Sequence, residues 1–426
     1  MLPDNPLYQT YLTILHEELV PATGCTEPVA IAYAAAMGRE LLGERPGDIS
    51  IRVSGNIIKN VKSVVVPGTG GLKGIKAAVA AGIVAGDAEA KLQVIAHITP
   101  GDRAVIEEYM AGANITVCCS DSPYLFDIDI TLLSGDHRAR ARIIKNHTNI
   151  VLLEKDGISK LELPLTEAAC EENAPSANPL CVADILDFAD TVRIEDIRPV
   201  ISRQIQCNTA ISQEGLSRPY GANIGKTLIK NFGGDVSIRA RAAAAAGSDA
   251  RMSGCELPVV IVSGSGNQGL TASLPVIEFA KELRVSEDKL YRALALSVLV
   301  TVHQKAGIGR LSAFCGATSA GCGAGAGIAY LYGGGYDGIA HTIVNTLAIV
   351  SGMVCDGAKP SCAAKIASAV DAAILGCRMY QNGDQFYDGD GIIKKGVDNT
   401  ICNVGRLARE GMYQTDRTIL KIMTEN

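Results

Sequence analysis

Cys315, Cys322, Cys355, Cys362 and Cys377 crowd one stretch, Ala306 to Cys377, in a background of glycine and alanine. Cys315 to Cys322 and Cys355 to Cys362 are both spaced by seven, and Pro360 breaks the second interval, which is expected to loop. Thiols clustered beside backbone that glycine lets approach closely suit a soft metal or an iron–sulfur cluster. Neither spacing is a C-x2-C ribbon or a ferredoxin run, which argues against a zinc finger or an electron carrier. Small apolar cysteines packing an alanine-rich core explain the same residues as well as a metal does. Residue types leave the two readings open.

Cys25 is a further thiol with a reactive setting. It lies in PATGCTEP, before an alanine-rich helix expected over Val29–Leu42. Thr26 reads as the N-cap, with Glu27 and Pro28 in the first turn. Cys25 then stands at a helix mouth, where N–H groups and the dipole lower a thiol pKa. A small buried residue in a tight turn is the plainer alternative. Downstream, PGTGGLKG opens a second alanine-rich helix, Ile75–Ala85, and with Lys73 and Lys76 has the form of an anion cradle.

Three other motifs mislead. GSGNQG at Gly264–Gly269 matches G-x-G-x-x-G after the strand-like PVVIVS, but no second strand ending in an acid follows, so NAD is not expected. The loop can instead offer N–H groups, Ser265, Asn267 and Gln268 to a substrate carboxylate. ANIGKT, Ala222–Thr227, is one residue short of a P-loop and has no strand before it. Lys365 in SCAAKIAS lacks a recognisable phosphate site or aromatic stack, so pyridoxal phosphate is not expected either.

The scaffold for these groups is 426 residues long, beyond the size at which single cores stop growing, so two domains are the default. Net charge is −6 without a basic run, which disfavours nucleic acid and anionic membranes as partners. Thirteen cysteines in a chain whose first residues lack a signal pattern point to reduced thiols and a cytoplasmic location. No apolar run reaches the roughly 18 residues of a membrane span.

Ile49–Val53 and Val61–Val66 read as strands, and Asn5–Val20 and Val29–Leu42 as helices. From Lys91 to Leu163 the pattern turns β-rich, with about four strands, KLQVIAHIT (Lys91–Thr99) first, and one helix, Arg103–Ala111, after it. Cys118 and Cys119 read there as packing residues, and His137, His147 and Arg138–Arg142 as solvated surface. A linker follows, then helices over Ala183–Thr191, Asp196–Asn208, Tyr220–Asn231, Asp235–Ala250, Leu274–Leu283, Glu287–His303 and Asp337–Gly352, with a surface helix at Thr400–Met423. The expected fold is α+β: a largely helical, Ala/Gly-rich catalytic domain with a small inserted α/β domain. Its divisions are 1–90, carrying the N-terminal part of the catalytic domain, 91–165 for the insert, 166–180 for the linker and 181–426 for the helical remainder.

PATGCTEPVAIAYA, VSGNIIKN, VPGTGGLKG, NTAISQEG, SGSGNQG, CGATSAGCGAGAG and MVCDGAKPSCAAKIASA together resemble the L-cysteine desulfidase family, a relative of the iron–sulfur L-serine dehydratases. The resemblance spans nearly the whole chain in order and spacing. It implies a [4Fe–4S] cluster held by Cys315, Cys355 and Cys362, with Cys25 as proton acceptor and Cys322 and Cys377 as bystanders. Three protein ligands leave one iron open to the leaving group of a small amino-acid substrate. The implied reaction is β-elimination on L-cysteine to hydrogen sulfide, ammonia and pyruvate. Ser54, Asn56, Asn267 and Gln268 are the expected substrate-binding residues. L-serine dehydration is the alternative on the same scaffold, and a non-catalytic redox sensor a second one. A homodimer is expected only because dimers are common among such enzymes.

Overall fold

The computed structural model describes residues 1–164, 179–309 and 311–425, so most of the expected linker lies outside the described residues. In chain order, α1 (Pro6–Glu18), β1 (Pro21–Thr23), α2 (Thr26–Leu42), β2 (Asp48–Val53), α3 (Gly55–Val61), α4 (Gly74–Ala85) and α5 (Pro100–Gly112) come first. Five strands follow: β3 (Asn114–Cys119), β4 (Asp127–Ser134), β5 (His137–Ile144), β6 (Ile150–Lys155) and β7 (Ile158–Glu162). The rest is helical apart from β8 (Pro258–Val260): α6 (Val182–Thr191), α7 (Ile194–Ser217), α8 (Ile224–Phe232), α9 (Val236–Met252), α10 (Gly266–Leu283), α11 (Glu287–Ile308), α12 (Gly316–Leu331), α13 (Gly335–Val350), α14 (Cys362–Gln381), α15 (Val397–Arg406) and α16 (Tyr413–Thr424). This is an α+β fold, largely helical.

Six strands form one sheet in the order β3-β2-β4-β5-β6-β7, parallel only between β2 and β3. Along β2 the residues alternate exposed and buried, so Ile49, Ile51 and Val53 point into the core. The helix α2 packs on this face closely enough that a Cβ on Gly38 would reach within 2.7 Å of Leu132. A boundary at residue 91 therefore cuts through the sheet, because β2 comes from the segment before it. The outer face carries charge: Arg140 and Arg142 make paired hydrogen bonds to Asp129 and Asp127, where open solvated arginines were expected. Cys118 and Cys119 are exposed on the edge strand β3 instead of packed.

Two expected strands are absent. Val61–Val66 holds only an isolated bridge from Val65 to Lys73, and residues 91–99 begin inside a 3-10 turn, Ala88–Gln93. Val64, Val66, Val94, Ile95 and Ile98 are buried under loops, and a short apolar run reads the same whether it joins a ladder or plugs a core.

The glycine-rich α12 was not apparent as a helix, since glycine costs about 1 kcal/mol per interior position relative to alanine. Packing overrides that cost. The helix is wrapped by α10, α11, α13 and α14. At Gly323 a Cβ would lie 2.2 Å from Thr301 Oγ1, so glycine is what lets α11 approach. The expected single C-terminal helix is broken into α15, a π turn at Leu407–Gly411 and α16.

Candidate active site

Four helices begin at one cavity. Cys25 is the N-cap of α2, Asn267 and Gln268 lie in the first turn of α10, Cys315 is the N-cap of α12, and Cys362 is the first residue of α14. All five residues, with Cys355, line a cavity of about 110 Å³. Helix N-termini carry unsatisfied N–H groups and the positive end of the dipole, so their convergence favours anions.

Local pairing explains how distant segments meet. β1 pairs with β8, Pro21 opposite Val260, which brings PATGC beside SGSGNQG. Thr26 Oγ1 donates to the Gly264 carbonyl at 3.0 Å and so does not act as the α2 cap. Asn208, from the NTAISQEG motif, accepts from Val260 N–H at 2.8 Å and fixes β8 from behind. Gly24, at φ +68°, packs on Pro67: a Cβ there would fall 1.9 Å from Pro67 Cγ. On the opposite wall, Cys315 N–H donates to the Met353 carbonyl and Cys355 N–H to the Ala313 carbonyl, at 3.0 and 2.7 Å. These two bonds set Cys315 and Cys355 side by side despite 40 residues of separation.

A hydrogen bond between the two thiols raises the Cys315 pKa and lowers that of Cys355. Lys59 and Lys365 favour the Cys355 thiolate further. Burial pushes the Cys362 thiol up, and its Sγ contacts the Gly357 carbonyl at 3.6 Å. Lys59 is buried and paired with Asp416 of α16, a contact that ties the C-terminal helix to this wall. Lys365 pairs with Asp356 and donates to the Val354 carbonyl at 2.7 Å.

Cys25 behaves differently from the expectation. Its thiol is 3 % exposed and donates to Glu27 Oε2 at 3.1 Å. Burial, reinforced by the Glu27 charge, raises its pKa well above the ordinary thiol value, and this outweighs the helix mouth. Glu27 is opposed by burial too, but His147 and a hydrogen bond from Cys25 hold its carboxyl below the ordinary range. Its other oxygen accepts from Asn60 Nδ2 at 3.0 Å. His147, expected on the solvated surface, is instead buried and stacks edge-on against Phe126 at 4.7 Å.

Not every expected residue reaches this cavity. Ser54 and Asn56 line a separate pocket of about 370 Å³ with Ser120, Tyr124 and Tyr413. Ser54 Oγ donates to the Leu125 carbonyl at 2.7 Å. PGTGGLKG does not line the cavity and instead supports the Cys25 loop through Pro67. Cys322 and Cys377 are buried away from the cavity. Residues overlooked in the sequence are Lys59, Asn60 and Arg251, all on the cavity wall. Only Lys59 and Asn60 carried a signal, as the last two residues of the VSGNIIKN motif.

The donor set fits the cluster expected for this stretch. Three thiols border one cavity, the helix mouths of Cys315 and Cys362 and two lysines near Cys355 offset thiolate charge, and glycine at 357 (φ +94°) allows the loop to close over Lys59. Among the described residues no three His, Cys, Asp or Glu side chains are grouped to hold a single metal ion.

The cavity is small, lined by thiols and built from helix mouths, a setting that favours anions. Residues 89–421 match the family described as serine dehydratase alpha chain. The chain is also 58% identical over 419 residues to a UPF0597 protein of Desulfitobacterium hafniense, covering 98% of this chain and 96% of that one. It is 51% identical to one from Lachnoclostridium phytofermentans, covering 98% and 100%, and 46% identical to one from Treponema denticola, covering 99% of each. The chain belongs to the serine dehydratase alpha chain family, and is a dehydratase-like lyase. Among the described residues no helix is long and apolar enough to cross a membrane.

Proposed function

We propose that this protein is an iron–sulfur-dependent lyase that eliminates the β-substituent of L-cysteine, releasing hydrogen sulfide, ammonia and pyruvate. The observation that carries this reading is the gathering of Cys315, Cys355 and Cys362 around the cavity that Cys25, Asn267 and Gln268 also line. Those three thiolates are the residues that would hold a [4Fe–4S] cluster. When bound, the cluster supplies a Lewis-acid iron for the leaving group.

The chain's own residues divide the remaining work. Asn267 and Gln268, in the first turn of α10, face a small polar substrate and orient it. Cys25 takes the Cα proton as a thiolate; burial and the Glu27 charge oppose that form, so the bound substrate and cluster must offset them before the thiol ionises. The aminoacrylate so released tautomerises and hydrolyses to pyruvate and ammonia. Ser54 and Asn56 support the fold beside the sheet; their pocket is not the one the cysteines line.

L-serine is the second reading, favoured by the description of the matching family. A hydroxyl and a thiol are both ligands for iron, so the comparison of kcat/KM on the two amino acids separates them. Anaerobically purified protein should contain iron and acid-labile sulfide, and should release sulfide from L-cysteine faster than pyruvate from L-serine. Protein without iron would end the cluster reading; a preference for L-serine would select the second substrate.

A further inference from the structure

Arg251, at the C-terminal end of α9, is 3 % exposed and forms no ion pair among the described residues. Its Nη1 donates to Asn267 Oδ1 at 3.2 Å, while its Nε is buried with no acceptor. Gly266 makes room for it: a Cβ there would fall 2.3 Å from Nε. Beside it Gln268 is 6 % exposed, and its Oε1 is buried with no donor. Taking a guanidinium out of water with its Nε donor unpaired is costly, and so is burying an unpaired amide oxygen. Both side chains lie on the wall of the 110 Å³ cavity, so a ligand there can satisfy both. Met252, next in the chain, packs with Cys25, and Cys362 packs against that pair, which anchors Arg251 between the two cysteine walls.

The complementary ligand is small, with a carboxylate for a planar fork of donors and an N–H group for an amide oxygen. Resting on the lyase reading, we propose that Arg251 binds the α-carboxylate of the amino-acid substrate while Gln268 Oε1 accepts from its α-ammonium. Arginine suits this role because its donors match a carboxylate two at a time. Recognition of the carboxylate also excludes amines that carry a thiol but no acid group.

The test uses ligands that cannot react. L-alanine has no β leaving group, propionate lacks the ammonium and ethylamine lacks the carboxylate. Binding of each to the anaerobically purified protein is measured by calorimetry, with iron content and melting temperature checked for every variant. Arg251→Gln should weaken L-alanine and propionate by about 10- to 100-fold and leave ethylamine unchanged. Arg251→Lys, which keeps the charge without the fork and guards against a misfolded glutamine variant, should fall between. Gln268→Leu should weaken L-alanine but not propionate. Equal binding of L-alanine and propionate by the unsubstituted and Arg251 proteins would overturn the proposal, as would absence of binding in the unsubstituted protein. Propionate binding that depends on Arg251, without turnover of L-cysteine or L-serine, would uphold this assignment while ending the lyase reading. Turnover of L-cysteine with KM unchanged in Arg251→Gln would do the reverse.

Discussion

The two walls of the cavity treat a thiol in opposite ways. On the α12–α14 side, Cys355 shares a hydrogen bond with Cys315 and faces Lys59 and Lys365, so its charged form is favoured. On the α2 side, Cys25 is buried against the Glu27 carboxylate, so its charged form is disfavoured. Cys25 has the helix mouth and Cys355 does not. A helix dipole is worth roughly 0.3–1 kcal/mol at its end, whereas burial or a like charge moves a pKa by units. Neighbours, rather than helix position, therefore decide which sulfur is a ready anion. On the α12–α14 wall only Cys355 has its charged form favoured, while burial raises the Cys362 pKa and the bond to Cys355 raises that of Cys315. Across the cavity, burial and the Glu27 carboxylate keep the proton on Cys25.

The largest expected effect tests that division directly. Cys315→Ala, Cys355→Ala or Cys362→Ala should each remove nearly all iron and acid-labile sulfide from anaerobically purified protein. Cys25→Ser should keep both and lower sulfide release by about 10²- to 10⁴-fold. Loss of iron in Cys25→Ser would make the two walls one ligand set. A pH dependence sharpens the contrast further. In iron-free protein, a short pulse of iodoacetamide followed by mass spectrometry should label Cys355 near neutral pH. Cys25, whose folded pKa is raised, should label only as pH climbs above the ordinary thiol value. Glu27→Gln removes the like charge, lowers the Cys25 pKa and should move its labelling down by roughly one pH unit.

How much of this was legible in the sequence depended on whether the signal was local. Helices α5, α6, α9 and α11 followed from apolar spacing, and their expected cores lie within the observed elements. The helix α12 did not, because GATSAGCGAGAG has glycine where only neighbouring helices reveal its use. The thiols were visible as a cluster, but their pairing was not. Cys315 meets Cys355 through the backbone bonds of Ala313 and Met353, and nothing in either segment names the other. Likewise the Cys25 acidity turned on burial and on Glu27, where the visible feature was a helix start. Arg251 sits in an alanine-rich helix whose sequence gives no hint of the cavity at its end. Ser54 and Asn56 show the converse: polar residues in a matching motif that line a different pocket.

Smaller effects refine what supports each wall. Gly24→Ala should destabilise the α2 side by about 2–4 kcal/mol, since it adds a left-handed backbone cost to a clash with Pro67. Thermal denaturation should show this with iron content unchanged.

Cys322→Ala should do least. Cys322 lies seven residues past Cys315, the same interval that separates Cys355 from Cys362. In α12 that interval is two helical turns, about 10 Å along the axis, so Cys322 shares a face with the cavity but not its depth. Between Cys355 and Cys362 the chain loops back through Gly357, and the same interval returns a sulfur to the cavity. Cys322 is fully buried, and its thiol donates to the Ile343 carbonyl at 3.6 Å. Removing one sulfur there should cost about 1–2 kcal/mol and leave iron content and sulfide release unaltered. Iron loss in this variant would show that depth along α12, the property that separates ligand from bystander, does not govern which thiols the site uses.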